Sequence, residues 1–196
     1  MSEKFKHKQD IERYKKISSF SKGKILNLGS DHSYGKIGLN SFLKQKHNKI
    51  VSCDIEKGAD YVINLNDKNW KINEKFDTIV AGEIIEHLEN PTQFLKNCYK
   101  LINKNGRIVL STPNASSLIY LVNPSWCVGY NNTEKELIHI HTFTKTMIKQ
   151  LMKKEGFQII HEEYINAFWH NPVAWTICKF IKRLRGDILI VGIKKE

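Results

Sequence analysis

The sequence predicts an α/β chain built on a doubly wound, mostly parallel sheet, and three observations carry that prediction. Short apolar, β-branched runs alternate with helix-like segments along the 196 residues, the pattern that βαβ units leave. The run Phe76-Asp77-Thr78-Ile79-Val80-Ala81-Gly82 is apolar without strict alternation, as suits a central strand covered on both faces. Glu83, Glu86 and His87 follow it directly, and ligands of open α/β sheets sit just beyond the carboxyl ends of strands.

Taken in order, residues 3–16 read as a basic helix with Phe5, Ile11 and Tyr14 as sparse apolar points, a helical cap within residues 1–20. Lys24 to Gly29 is the first strand, followed by a polar loop and a short helix through Ser41, Phe42 and Leu43. Ile50 to Asp54 is a second strand and Ala59 to Asn64 a third. Only residues 55–58 separate those two, whereas a parallel crossover takes a dozen or more. Either the third strand starts later or the usual helix is reduced to a loop. The fourth strand leads into a helix expected to run from Glu83 to about Ile102. Arg107 to Thr112 is a fifth strand stopped by Pro113, which cannot donate to a ladder. Residues 114–141 are too long for a plain connection and are expected to be a functional insertion. Thr144 caps a helix that Gly156 ends, Phe157 to Tyr164 is a sixth strand and Asp187 to Lys194 a seventh. Residues 165–186 form a second insertion, and the whole of 1–196 reads as one domain.

Composition narrows the class. Hydrophobic residues at 41% and charged residues at 26% suit a folded water-exposed domain. No apolar run approaches the ~20 residues that span a bilayer, and the start of the chain lacks the apolar core of a signal peptide. A cytoplasmic location is therefore expected. The four cysteines form no CxxC pair and read as buried free thiols. The net charge of +11 would attract nucleic acid, anionic lipid or a phosphorylated substrate. No arginine-rich tract or RNA-binding module accompanies it, so nucleic acid is not the favoured partner.

If the turn after Gly82 is helical, Glu83, Glu86 and His87 share one face and converge. The alternative is that the acids favour a helix N-terminus through its dipole and His87 is merely paired. The segment Phe76 to Pro91 resembles the fourth-strand motif "fD.i...evlEHl.dP" of class I S-adenosylmethionine-dependent methyltransferases. The likeness continues through Leu101 to Asn114, which is similar to that branch's "lLkpgGrlvlstPN", and covers about residues 22–160. It implies a Rossmann-like fold of seven strands with the last one antiparallel, and S-adenosylmethionine as cofactor.

The resemblance also implies a cofactor site. The family's acid-x-Gly-x-Gly-x-Gly pattern is reduced here to Asn27-Leu28-Gly29-Ser30-Asp31, so Asn27 stands in place of the acid. Gly29 and Ser30 would allow close backbone approach, and Asp31 is a candidate for the cofactor's ammonium group. Asp54 would accept the ribose hydroxyls and Ile55 would pack on the adenine. Asn64 and Leu65 stand where the family often has Asp-Leu facing the adenine amine, with a plain turn as the equal alternative. Ala81, Gly82 and Glu83 complete the set at the end of the fourth strand.

For the chemistry, His139-Ile140-His141-Thr142-Phe143-Thr144 resembles the family's "HvhfFs" segment. Of the two histidines, His141, nearer the helix, is the favoured general base facing the pocket, with His87 and Glu83 beside it; His139 is set aside as solvated or capping. The resemblance to glycan, small-molecule and quinone O-methyltransferases implies O-methylation of a glycan, a lipid-linked sugar or a small metabolite. Glu83, Glu86, His87 and His141 also resemble the metal-binding arrangement of small-RNA 3′-terminal 2′-O-methyltransferases, where a divalent ion would activate a diol. That metal is not the favoured reading, since Ala115-Ser116-Ser117-Leu118 continues as in the glycan and small-molecule members. The altered glycine loop leaves a non-catalytic nucleotide-binding domain as a further alternative. Asn171 and Pro172 open a helix whose Val173, Ile177, Phe180, Ile181 and Leu184 form one apolar stripe. Packing on the core is the expected role of that stripe; peripheral membrane contact through 171–185 is the alternative.

Overall fold

The computed structural model describes residues 3–29, 38–123, 139–166 and 171–195, with the side chains of 3–9 left aside. Ser30, Asp31, Cys127 and most of the 114–141 insertion lie outside the described residues.

A seven-stranded sheet runs in the order β3-β2-β1-β4-β5-β7-β6. Its strands are β1 (Ile25–Leu28), β2 (Ile50–Asp54), β3 (Tyr61–Val62), β4 (Phe76–Gly82), β5 (Ile102–Pro113), β6 (Phe157–Ile165) and β7 (Asp187–Lys194). The first five are parallel, and β7 runs antiparallel between β5 and β6, as expected. The helices are α1 (Glu3–Phe20), α2 (Leu39–Lys44), α3 (Pro91–Leu101), α4 (Leu118–Val122), α5 (Lys145–Lys154) and α6 (Pro172–Phe180).

Alternation along the strands makes two apolar layers. Leu26, Leu28, Ile79, Ala81, Ile108, Leu110, Ile188 and Ile190 face α3 and α5, while Ile25, Val80, Val109, Leu189 and Val191 face α1 and α2. Helix α1 is longer than the expected 3–16 because Ile17, buried on the second layer, keeps it going. Capping follows the sequence closely: Thr144 accepts from the Met147 N–H at 3.3 Å and Asn171 from the Ala174 N–H.

Three expectations are corrected. The third strand is only Tyr61–Val62, and the connection from β2 is a loop, so both alternatives for the short crossover hold. Asp60 fastens that loop: its carboxylate accepts from the Ser52 N–H at 2.8 Å and hydroxyl at 2.7 Å, which hold its pKa below the usual carboxylate range. No helix starts at Glu83. That residue has φ +56, a left-handed conformation, and only a 3-10 turn (Ile85–His87) precedes α3, which Asn90 caps at Pro91. Finally, the stripe expected on α6 does not pack on the core. Cys178 turns inward onto Leu118, Ile119 and Leu184, while Val173 and Phe180 face outward.

Among the described cysteines, Cys53, Cys98 and Cys178 are buried and outside any disulfide, and burial pushes Cys53 up to about 12. Among the described residues no helix is long and apolar enough to cross a membrane.

Candidate functional site

The left-handed turn at Glu83 sends two glutamates to opposite faces of the sheet. Ser111 and Thr112 are neighbours on β5, so their side chains point to opposite faces. The Ser111 hydroxyl donates to Glu83 Oε1 at 2.8 Å, and the Thr112 hydroxyl donates to Glu86 Oε2 at 3.0 Å. The helical convergence expected of Glu83 with Glu86 and His87 is thus replaced by a split.

On the α1 face, Arg13 reaches Glu83 Oε2 at 3.4 Å, Asp10 Oδ1 at 3.0 Å and Asp187 Oδ2 at 4.0 Å. Burial would weaken the hold of the guanidinium on its proton, but Glu83, Asp187 and Asp10 more than offset it and raise its pKa. Asp187 is pushed well above the usual carboxylate range by burial and then by the charge of Glu83, with Arg13 and a hydrogen bond from Asn166 opposing. Sequence reading missed Arg13, because a lone arginine in a basic helix looks like a solvated one.

On the other face, Glu86 is 1% exposed, and its Oε1 has no hydrogen-bond partner. His87 Nε2 lies 3.8 Å from that oxygen, beyond hydrogen-bonding reach. Burial first, and then the Glu83 charge, raise the Glu86 pKa well above the usual carboxylate range. His139 packs its ring edge-on against His87, with centroids 4.8 Å apart. Ligand atoms of Glu86, His87 and His139 all lie within 4.8 Å of one another. Burial lowers the His139 pKa, which keeps its imidazole neutral at neutral pH.

The backbone explains why His139 is there. The N–H groups of Ile140 and His141 both donate to the Glu86 carbonyl at 3.0 Å, docking this segment on the 3-10 turn. Asn114 pairs with Phe143 in an isolated bridge, and the Ala115 N–H donates to the Phe143 carbonyl at 2.9 Å. The sequence reading had set His139 aside for His141. In the structure His139 joins Glu86 and His87, whereas His141 lies against Phe143 with its Nε2 buried and unpartnered.

At the other strand ends, Gly29 takes φ +65, and a Cβ there would strike the Ile84 side chain at 2.0 Å. A side chain at this position would be strained by the backbone and by the Ile84 contact alike. Asn27 is wholly buried, and both its amide oxygen and its amide nitrogen lack partners. Asp54, also buried, ends β2 and accepts from the Glu56 N–H at 3.1 Å; Ile55 beside it is exposed. The Asn64 amide oxygen accepts from the Asn66 N–H at 3.0 Å, the turn that its sequence allowed, and Leu65 packs partly buried against the core. Ala81 is buried at the end of β4, and a Cβ on Gly82 would meet Leu39 at 3.0 Å.

A family described as methyltransferase domain matches residues 8–162, more than half of the chain. The chain belongs to that family: it carries a methyltransferase domain, with the fold of the class I, S-adenosylmethionine-dependent type. Among curated proteins, the methyltransferase is 30% identical over 78 residues to the mitochondrial ubiquinone biosynthesis O-methyltransferase of Rattus norvegicus, a stretch covering 39% of this chain and 23% of the relative. It is 31% identical over 70 residues to the ubiquinone biosynthesis O-methyltransferase of Photobacterium profundum, covering 34% of this chain and 30% of the relative. The chain thus spans less than a third of the length of each of these two relatives.

Among solved structures, a S-adenosylmethionine-dependent methyltransferase from Listeria monocytogenes superposes with a TM-score of 0.70 at 13% identity, covering 98% of this chain and 100% of that one. The N-methyltransferase NodS of Bradyrhizobium japonicum, solved with S-adenosyl-L-homocysteine, gives 0.62 at 12% identity, covering 95% and 87%. Likeness at this identity speaks for the fold alone.

Proposed function

We propose that this methyltransferase transfers a methyl group to a hydroxyl oxygen of a glycan, a lipid-linked sugar or a small metabolite. One observation carries the reading: a buried carboxyl with an unsatisfied oxygen stands beside two histidines, one held neutral by burial. An attacking hydroxyl must shed its proton, and a positioned neutral imidazole is suited to take it. His139 is the base in this proposal, with His87 beside it. The Glu86 backbone carbonyl holds the His139 segment in place, and Glu83, hydrogen-bonded to Ser111, closes the site from the α1 side. Oxygen as the acceptor atom is supported by the curated relatives, which are O-methyltransferases, although NodS is an N-methyltransferase.

The strand ends fit the cofactor. The orphaned Asn27 amide offers a donor and an acceptor for the amino-acid end, Asp54 an anionic acceptor for the ribose, and exposed Ile55 an apolar surface for adenine. Gly29, Ala81 and Gly82 keep side chains out of the way. When bound, the cofactor supplies an electrophilic methyl on its sulfonium.

Calorimetry with S-adenosyl-L-homocysteine tests this half of the reading. Asp54→Ala should weaken binding by ~10- to 100-fold, about 1.5–3 kcal/mol, as expected for losing a charged hydrogen-bond acceptor. Unchanged affinity would remove Asp54 from the site, and no binding by the parent protein would overturn the cofactor assignment.

The same geometry favours a second reading. One carboxylate and two imidazoles within 4.8 Å of one another can hold Mg²⁺, Mn²⁺ or Zn²⁺, which would lower the pKa of a bound diol. The donor set is Glu86, His87 and His139 rather than the expected set with Glu83 and His141. A small-RNA 2′-hydroxyl would then join the acceptors to be tried. Methyl transfer assayed on hydroxyl acceptors with and without chelator separates the readings: reversible loss points to the metal, and indifference to the imidazole.

A further inference from the structure

We propose that the tip of α6 docks the protein on the surface of an anionic lipid bilayer. Five consecutive residues, Lys179-Phe180-Ile181-Lys182-Arg183, are all exposed. Phe180 is 78% exposed and Ile181 44%, a phenyl and a branched aliphatic side chain held in water at a helix end. Cations bracket them on both sides. Residues 171–186 carry four cations and no acid, and the adjoining α4, Leu118–Val122, carries no charge at all. Val173 at the start of α6 and Leu121 and Val122 on α4 add further exposed apolar side chains.

The exposure is built in rather than left over from poor packing. Helix α6 buries Cys178 against Leu118, Ile119 and Leu184. Below the tip, Arg185 turns inward, donating to the Cys178 carbonyl at 3.3 Å and the Tyr164 carbonyl at 3.2 Å. The helix then stops at Phe180, and the following 3-10 turn, Lys182–Leu184, carries Leu184 back to the protein. Phe180 and Ile181 are left at the apex. An apolar pair inside a basic ring matches an anionic bilayer, where apolar side chains enter the acyl boundary and lysines and arginines meet the headgroups. Nucleic acid would satisfy the cations but leave the apolar pair in water.

The tip is also tied to the site. The buried Asn114 amide donates to the Arg183 and Arg185 carbonyls at 2.8 and 2.7 Å, and the Asn114 N–H donates to the Gly186 carbonyl. Asn114 follows directly on β5, two residues beyond Thr112, the partner of Glu86. A docked protein would therefore present the carboxyl end of β5 towards the membrane. If the proposed function holds, an acceptor carrying an apolar chain could reach the site without leaving the bilayer.

Vesicle flotation with the full chain tests the docking and needs neither methyl donor nor acceptor, so its failure leaves the reading of the site intact. The parent protein should float with vesicles containing about one-third phosphatidylglycerol, and poorly with phosphatidylcholine alone or at raised salt. Phe180→Ser with Ile181→Ser should lower binding about tenfold or more. Lys182→Gln with Arg183→Gln should lower it by roughly fivefold per cation. Unchanged affinity for S-adenosyl-L-homocysteine in both variants would show that they remain folded. Absence of binding by the parent, equal binding to neutral vesicles, or full binding by the Phe180/Ile181 variant would each overturn the proposal, the first leaving a protein partner as the occupant of the tip.

Discussion

Glu83 and Glu86 stand three residues apart, yet the two faces of the sheet treat them differently. Beneath α1, Glu83 has both oxygens engaged, one by the Ser111 hydroxyl and one by Arg13, which also approaches Asp10 and Asp187. Across the sheet, Glu86 has one oxygen on Thr112 and the other free of hydrogen bonds, with two histidines beside it. A carboxylate tied to a guanidinium holds segments of chain together. A buried carboxyl with an open lone pair and no guanidinium bonded to it waits for a proton, a metal ion or a ligand; the Arg13 charge only partly offsets its burial. The difference separates a clamp from a reactive site, although both belong to one motif.

The largest expected effect lies on the reactive side. His139→Ala should lower turnover by roughly 10²- to 10⁴-fold while leaving S-adenosyl-L-homocysteine affinity unchanged. His141→Ala, measured in parallel, should lose far less. An equal loss at His141 would restore the histidine favoured by sequence, and near-normal turnover of His139→Ala would dissolve the group.

On the clamp side the effect should appear in stability. Arg13→Met leaves Glu83 and Asp187 facing each other without their cation, and breaking a buried pair in this way costs about 3 kcal/mol. Urea unfolding reads it as a lower midpoint with an unchanged slope. A loss of activity without any loss of stability would contradict the separation and move Arg13 into the reacting group.

The smallest effect has a characteristic sign. The folded pKa of Glu86 is raised by burial and by Glu83, so the folded state binds this proton more tightly than the unfolded one. Stability from this group is therefore lost as pH rises from the ordinary glutamate range towards the raised folded value. Glu86→Gln removes that loss. It should stabilise the protein at neutral pH by about 1 kcal/mol, roughly 3 °C in Tm, at the expense of activity. The gain should shrink as pH falls below about 4, where glutamate becomes protonated in both states. A gain independent of pH would mean that Glu86 is not the titrating group.

Much of the architecture was legible in the sequence because its signals are local. The alternation of strands and helices, the caps at Thr144 and Asn171, and the glycine at position 29 follow from backbone geometry and hydrogen bonding within a few residues. The motif at Glu83 to His87 marked the end of β4 as the place for chemistry, and the family likeness carried the cofactor. Other features were settled only when distant segments met. The left-handed conformation of Glu83 has no local signature, and it is held by Ser111 and Arg13, 28 residues after it and 70 before it. His139 and His141 are equivalent in an alternating segment until two N–H groups dock on the Glu86 carbonyl and fix which ring meets His87. The stripe on α6 was correctly read as apolar. Whether such a stripe faces core or solvent depends on where the helix ends and what packs beside it, and the packing of Cys178 against α4 leaves Phe180 facing outward.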